Sequence, residues 1–182
     1  NFAHGALYMI GAYVGIIAVE SSTGNFWLGV VAAGLVVGLV GVVIEMGFLR
    51  RVYDRDELDQ LLLTFAFVLI ITDAVRYVFG SGSRIINPPP SLRFDIPLGG
   101  AASIPSYRAF VIVASVLVMG GILLALRTTN FGRVVRATSS DRDMASLLGI
   151  DVPKLYTGVF FIGAALAGLG GALAAPLQSV TP

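Results

Sequence analysis

The sequence contains no cysteine, a single histidine and few charged residues. Without cysteine the chain can form no disulfide and offers no thiolate to a metal. The lone histidine, His4, has no aspartate or glutamate in its apolar segment, so the clustered groups that catalysis needs are missing there. Charged residues make up 13% of the chain and the formal net charge is +1, which gives no general attraction for nucleic acid. These scarcities predict no metal site, no cofactor site, no catalytic residue and no nucleic-acid partner for this chain.

Hydrophobic residues are abundant instead. They form 56% of the chain and the mean hydropathy is +0.86, far from the values of a soluble domain. Runs near the roughly 18 to 20 apolar residues needed to cross a bilayer occur several times. We predict an all-α fold, a polytopic transmembrane helical bundle that forms one domain over residues 1–182. The predicted spans are about 5–19, 26–49, 61–79, 107–126 and 155–175.

The first predicted span is short. Its fifteen residues would reach only about 22 Å as a helix, less than the roughly 30 Å of the hydrocarbon core. We therefore expect this segment to be truncated or to be part of a broken helix.

Basic residues are concentrated in two of the four connecting segments. The first connection has none, and the third has only Arg84 and Arg93. Because Lys and Arg near span ends are retained on the cytoplasmic side, we predict that the second and fourth connections are cytoplasmic. The first span then runs from the cytoplasm outward. The basic residues of these two connections are Arg50, Arg51, Arg55, Arg127, Arg133, Arg136, Arg142 and Lys154.

Small residues recur four positions apart within the spans. Glycine or alanine at this spacing lets membrane helices approach closely. The pattern predicts dense helix packing, and the pairs are Gly11 with Gly15, Gly29 with Ala33, Gly34 with Gly38, and Gly163 with Ala167.

Apart from Arg108 at the start of the fourth span, three acidic or basic residues lie inside the predicted spans, where a charge is costly unless it has a partner or water. Asp73 and Arg76 are three positions apart, so we expect them to pair at the membrane interface. Glu45 lies one turn from Arg50 and Arg51, and we expect it to reach water or those arginines.

The fourth connection contains a predicted two-turn amphipathic helix. Ser140 followed by Asp143 resembles a capping box, and Gly149 is predicted to be the C-terminal cap, with Pro153 preventing continuation. The apolar residues on one face are Met144, Leu147 and Leu148. A helix this short is marginal in water, so its apolar face needs a surface. That surface is the chain's own bundle, the lipid or a partner protein.

Two stretches of the chain resemble signature sequences of a known protein family. Asp143, Met144 and Ala145, followed after three intervening residues by Gly149, resemble the E-A-A-x-x-x-G cytoplasmic loop of ABC-importer permeases. The run "FGRVVRATSSDRDMASLLGIDVPK" is similar to the corresponding loop of branched-chain amino acid permeases. The opening "NFAHGALYMIGAY" resembles the other signature of that same subfamily. Asp143 and Met144 replace the usual Glu and Ala, and Ala6 stands where many relatives are acidic. Members of the family have further spans on both sides, so the chain is expected to be a fragment lacking both ends.

The resemblance implies a permease subunit of an ATP-driven, binding-protein-dependent importer for branched-chain amino acids in the bacterial cytoplasmic membrane. It implies a second permease subunit, two cytoplasmic ATP-binding subunits, an extracytoplasmic substrate-binding protein and membrane lipid as partners. ATP would be bound by the partner subunits, since the chain has no G-x-x-x-x-G-K-[ST] motif. The alternatives are a permease for urea or short amides in the same family, a secondary transporter or channel, and a membrane-embedded enzyme.

The resemblance also assigns the short helix as a cytoplasmic coupling helix within residues 127–154. Met144, Leu147 and Leu148 would anchor it in an ATPase groove, and nearby arginines would orient it. The competing interpretation places the same helix on the inner leaflet. The predicted coupling residues are Arg133, Arg136, Asp141, Arg142, Asp143, Met144, Ala145, Leu147, Leu148 and Gly149.

At the other end of the chain, we predict a helix break over Asn1–Gly5. Breaks at membrane depth are tolerated where they line a cavity, and in transporters they often face the substrate path. Asn1, His4 and Gly5 are therefore candidate pathway residues. The alternative is that His4 packs between helices.

The third connection, residues 80–106, contains Pro88–Pro90 with scattered Gly and Ser, which favour extended backbone outside the membrane. We expect it to cover the bundle or to meet the binding protein. A cysteine introduced by Ser91→Cys should therefore react with an impermeant thiol reagent in intact cells. Protection in both intact cells and right-side-out vesicles, with reaction only after lysis, would contradict the topology.

Overall fold

A computed structural model describes residues 2–22, 24–99 and 102–182 of the chain. The described residues form seven α-helices, a 3-10 turn over Leu49–Arg51, another over Pro90–Leu92, and one β-hairpin. The helices are α1 (Ala3–Ser21), α2 (Phe26–Gly47), α3 (Glu57–Phe79), α4 (Ser106–Thr128), α5 (Asn130–Ser140), α6 (Arg142–Leu147) and α7 (Val152–Ala174). The strands are β1 (Asp95–Gly99) and β2 (Ala102–Pro105), which pair antiparallel.

Five of the helices are long and apolar enough to cross a membrane. They are α1, α2 with its following 3-10 turn, α3, α4 and α7. The prediction of an all-α, polytopic helical bundle is confirmed. The chain divides into two units, one of Asn1–Pro89 with Thr157–Pro182 and the other of Pro90–Tyr156. The prediction of a single domain stays a prediction, and each unit is described by itself.

Helix α1 is longer than predicted. It has 19 residues and would reach about 28 Å at 1.5 Å per residue, nearly the thickness of the hydrocarbon core. It runs without interruption from Ala3 through Gly5 to Ser21. The predicted break is therefore wrong for Ala3–Gly5, and Asn1 lies outside the described residues.

The start of α2 is set by a side-chain cap. Gly24 adopts a positive φ of 84°, and the Asn25 side chain then accepts hydrogen bonds from the backbone N–H groups of Trp27 and Leu28, at 3.1 and 3.3 Å. These bonds satisfy two donors that the first turn of a helix otherwise leaves free. The tight connection brings α2 back alongside α1.

The first unit is held together by close contact of α7 with α1 and α2. Glycine is needed at the contacts, because a Cβ on Gly11 would overlap the backbone of Gly168, and one on Gly168 would overlap Ala33 and Val37. Further along α2, a Cβ on Gly34 would meet Leu169 and one on Gly38 would meet Phe161. The prediction of close packing is confirmed at these glycines. It is wrong at Gly163, where the space within 4 Å of an added Cβ is empty.

The outer end of this unit, by the predicted topology, is closed by the segment after α3. Arg84 and Val180 exchange two backbone hydrogen bonds of 3.0 and 2.9 Å, which tie this segment to the one after α7. The Arg84 guanidinium lies 5.7 Å from the centre of the Phe79 ring, which stacks on Tyr13 at 4.8 Å. Arg84 therefore makes a cation–π contact with Phe79, and the stacked Phe79 and Tyr13 rings join α3 to α1.

The second unit begins with the 3-10 turn over Pro90–Leu92 and the β-hairpin, so this part of the Pro-rich connection forms no long helix, as predicted. The Ser106 hydroxyl donates to the Leu92 carbonyl at 2.8 Å and accepts from the Phe94 N–H at 3.3 Å, so the base of the hairpin is fixed to the first turn of α4. Only Ser106 and Tyr107 are buried in α4. The rest of this apolar helix is free to contact lipid or other membrane helices.

The glycine contacts generate a paired prediction within α7. Gly168→Ala should lower the thermal stability of the complete permease in detergent, because the new methyl group meets the Ala33 backbone, and overpacking costs about 1–3 kcal/mol. Gly163→Ala is the matched control, and it should leave stability unchanged or raise it by up to about 1 kcal/mol through helix propensity. Equal unfolding midpoints for the two variants would show that the α2–α7 contact is not close.

Candidate functional site

The segment between α4 and α7 is more helical than the sequence analysis predicted. Helix α5 follows α4 after Thr129, whose hydroxyl accepts from the Gly132 N–H at 3.0 Å and donates to the Ala125 carbonyl at 2.6 Å. Gly132 lies against the backbone of Leu126, so a side chain there would overlap it. Helix α5 was not predicted, although the capping Thr129 and the apolar spacing of Phe131, Val134 and Val135 are its signal.

The N-cap of α6 lies one residue later than predicted. Asp141 is the N-cap, and its carboxylate accepts from the Met144 N–H at 2.9 Å. Ser140 is instead the last residue of α5, and its hydroxyl donates back to the Arg136 carbonyl at 3.2 Å. The predicted role of Ser140 is therefore wrong, because α5 already uses that residue.

The other end of α6 is closed as predicted. Gly149 has a φ of +83° and donates to the Ser146 carbonyl at 3.0 Å, while Ile150 donates to the Ala145 carbonyl at 3.1 Å. This pair of bonds is a Schellman motif, which favours glycine at the left-handed position. Asp151 then caps α7, accepting from the Lys154 N–H at 3.1 Å, and Pro153 lies in the first turn of that helix. The short helix is thus bonded at both ends by its own segment.

The apolar face of α6 is uncovered. Leu147 is 82% exposed, Leu148 76% and Met144 52%. Their exposure shows that no described element of the second unit covers this face. Ala145 is 3% exposed, so it lies on the inner side of the helix and cannot itself touch a partner.

The predicted orienting arginines have different surroundings. Arg133 and Arg136 are exposed on α5, and Arg133 donates to the Asn130 side-chain oxygen. Arg142 is half-buried, and its guanidinium lies 5.6 Å from the centre of the Tyr156 ring in the second turn of α7. Asp143 is exposed. Arg142 therefore joins α6 to the beginning of α7.

A buried polar cluster lies in the first unit, at the end of α2. Glu45 is 0% exposed, and its carboxylate accepts from Arg50 at 3.4 and 3.3 Å and from the Thr157 hydroxyl at 2.7 Å. Arg50 also donates to that hydroxyl at 2.6 Å. The expected pairing of Glu45 with arginine is confirmed for Arg50. Access of Glu45 to water is not observed, because α7 covers it.

The other expected ion pair is absent. Asp73 and Arg76 are both exposed, and these two described residues form no ion pair with each other. Side chains that both reach solvent gain little from pairing.

Among the cavities of the first unit are two that have polar groups in their walls. The larger, of about 520 Å³, is lined by Leu49, Tyr53, Glu57, Gln60, Leu61, Thr64 and Phe160. The smaller, of about 260 Å³, lies between α1 and the end of α7 and includes Tyr8, Met9, Gln178 and Ser179. Both combine apolar walls with a few polar groups.

The predicted pathway residues lie outside these two cavities. His4 and Gly5 are exposed in the first turn of α1, and neither lines one of the cavities described above. A packing role for His4 between the described helices is not observed, because its side chain is exposed. Nothing beyond exposure bears on a pathway role for His4 and Gly5, which stays a prediction. Asn1 lies outside the described residues.

Comparisons with known proteins agree with the resemblance read from the sequence. The family described as "Branched-chain amino acid transport system / permease component" matches residues 1–182. The high-affinity branched-chain amino acid transport system permease protein LivH of Salmonella typhimurium is 33% identical over 186 residues. LivH of Escherichia coli is 32% identical over 188 residues, and the permease protein BraD of Pseudomonas aeruginosa is 30% identical over 183.

Each of these alignments covers 95% of this chain but only 59% of LivH and 60% of BraD. No solved structure matches the chain. Because the family match extends over every residue, this multi-pass membrane protein belongs to the branched-chain amino acid transport permease family, a family of transport components and not of enzymes.

Proposed function

We propose that the chain is the central part of a permease subunit in an ATP-driven, binding-protein-dependent importer of branched-chain amino acids. The observation that carries the proposal is the family match over residues 1–182, together with relatives named for high-affinity branched-chain amino acid transport. The protein would lie in the cytoplasmic membrane, with α5 and α6 on the inner side as the positive charge of their segment favours.

The geometry of α6 supports a docking role. A six-residue helix is too short to be stable alone, yet this one is capped at both ends and presents Leu147, Leu148 and Met144 outward. A rigid helix with an uncovered apolar face suits a groove on a partner, in the helix-in-groove mode of recognition. The partner under this proposal is the ATP-binding subunit, which would hold the nucleotide because the chain carries no phosphate-binding loop.

The remaining partners follow from the same proposal. A second permease subunit would cover the exposed apolar faces of the spans that lipid does not, and α4 has the largest such face. The hairpin of β1 and β2 would lie outside, where an extracytoplasmic binding protein delivers substrate. Two ATP-binding subunits would complete the transporter.

The cavity of about 520 Å³ supports the choice of substrate. Its walls include Leu49, Leu61 and Phe160, while Glu57, Gln60 and Thr64 supply polar atoms. A cavity with apolar walls and a few polar groups suits an aliphatic amino acid, whose side chain and charged groups need both. Urea and short amides lack the aliphatic portion.

The proposal predicts transport that needs every partner. The complete permease, reconstituted in proteoliposomes with its ATPases and binding protein, should accumulate labelled leucine only when ATP is present on the ATPase side. Excess valine or isoleucine should compete, and excess urea or acetamide should not. Uptake without ATP or without the binding protein would favour a secondary transporter or channel instead.

The docking role of α6 predicts a second result. Leu147→Ser with Leu148→Ser should reduce ATPase co-purification and ATP-driven uptake by at least about tenfold, since buried apolar anchors dominate interfaces. Ile85→Ser is the matched control, because Ile85 is 77% exposed on a segment predicted to face outward. Both variants should remain in the membrane at normal abundance.

Normal co-purification and uptake in the α6 variant would contradict docking on an ATP-binding subunit and would support the interpretation that α6 lies on the inner leaflet. A substitution such as Ala145→Leu would not test docking, because Ala145 is buried and a larger side chain there would disturb its own unit.

A further inference from the structure

The Glu45 carboxylate accepts hydrogen bonds from two distant parts of the chain, two from Arg50 and one from Thr157. Arg50 lies five residues away and already binds both carboxylate oxygens, so a local pair would satisfy most of the buried charge. The Thr157 hydroxyl comes from α7, 112 residues away, and donates to one of the same oxygens at 2.7 Å. Thr157 is therefore not needed to neutralise Glu45, and its distinctive contribution is to connect α7 with α2.

Several other described contacts between α2 and α7 are apolar. Gly38 faces Phe161, Gly41 faces Ala164, and Gly34 faces Leu169. Apolar contacts of this kind are non-directional and permit small sliding movements of one helix along another. A hydrogen bond to a buried carboxylate is directional, so Thr157 fixes the register of α7 against α2.

Thr157 also lies next to the residue that contacts α6. The guanidinium of Arg142, the first residue of α6, lies over the Tyr156 ring, 5.6 Å from the ring centre. Tyr156 and Thr157 belong to one continuous helix, α7, which begins at Val152 directly after the Schellman turn of α6. Helix α6 is therefore connected to the start of α7 both along the chain and through Arg142, and Thr157 is the next residue of α7 after Tyr156.

We propose that Glu45, Arg50 and Thr157 form a latch that positions α7 on α2 and passes movement of α6 to the membrane helices. The inference rests on the proposed function, since the movement of α6 would come from the ATP-binding subunits. Glu45 and Arg50 form the fixed side of the latch, and Thr157 is the positioning residue on the moving side.

The decisive variant is Thr157→Val, which keeps the shape of the side chain and removes its hydroxyl. Glu45 keeps Arg50, so the protein should insert at normal abundance and the complex should still hydrolyse ATP. Leucine transported per ATP hydrolysed should fall about tenfold, equivalent to about 1.4 kcal/mol, which is the size of one hydrogen bond to a charged group. The concentration of loaded binding protein that gives half-maximal uptake should not change.

Two further variants make the result specific. Thr157→Ser restores the hydroxyl and should return the transport-to-ATP ratio to within about twofold of the unaltered protein, less than a hydrogen bond is worth. Ser115→Ala is the control for loss of a membrane hydroxyl, because Ser115 is exposed and donates at 2.8 Å only to Val111 in its own helix. Its ratio should be normal.

A normal transport-to-ATP ratio in Thr157→Val would overturn the latch alone. Loss of abundance and of ATP hydrolysis together in Thr157→Val would also overturn it, because the hydroxyl would then be a folding requirement. Absence of ATP-dependent uptake by the unaltered transporter would overturn the proposed function itself, so the two failures are distinguishable.

Discussion

Close backbone approach between α7 and its two neighbours, α1 and α2, is the constraint on which the first unit depends. Inside a membrane, association of apolar helices gains little from the hydrophobic effect, so close packing has to supply the attraction. Gly11, Gly168 and Gly171 allow backbones to meet where any side chain would overlap. The buried Glu45 cluster exists only because this approach brings Thr157 within hydrogen-bonding distance of the carboxylate.

Sequence reasoning predicted most of the membrane fold because its signals are local. Five apolar stretches of sufficient length predicted the five long helices, and spacing of small residues identified Gly11, Gly34 and Gly38 as contact positions. The same spacing gave the wrong result at Gly163, since a repeat of four positions does not say which face of a helix meets a neighbour. Capping was predicted correctly at Gly149, where a single left-handed residue ends the helix.

Features that depend on tertiary contacts could not be predicted from the sequence. Ser140 and Asp141 are both good N-caps, and only the presence of α5 decides between them, because Ser140 already ends that helix. The partner of Glu45 could be guessed locally as an arginine, but Thr157 is 112 positions away and carries no signal of its own. The exposed position of Leu147 and the burial of Ala145 follow from how α6 packs, which helical spacing alone leaves open.

The caps of α6 have a consequence for the entropy of association. A segment that folds only on its partner loses backbone freedom as it binds, which weakens the complex by several kcal/mol. Asp141 at one end and Gly149 at the other already hold this helix in the isolated chain. Its exposed leucines are consequently presented in a fixed arrangement, so in the proposed docking the free energy of their burial would go into affinity and not into ordering the helix. A preorganised contact of this kind can form and dissociate repeatedly without refolding.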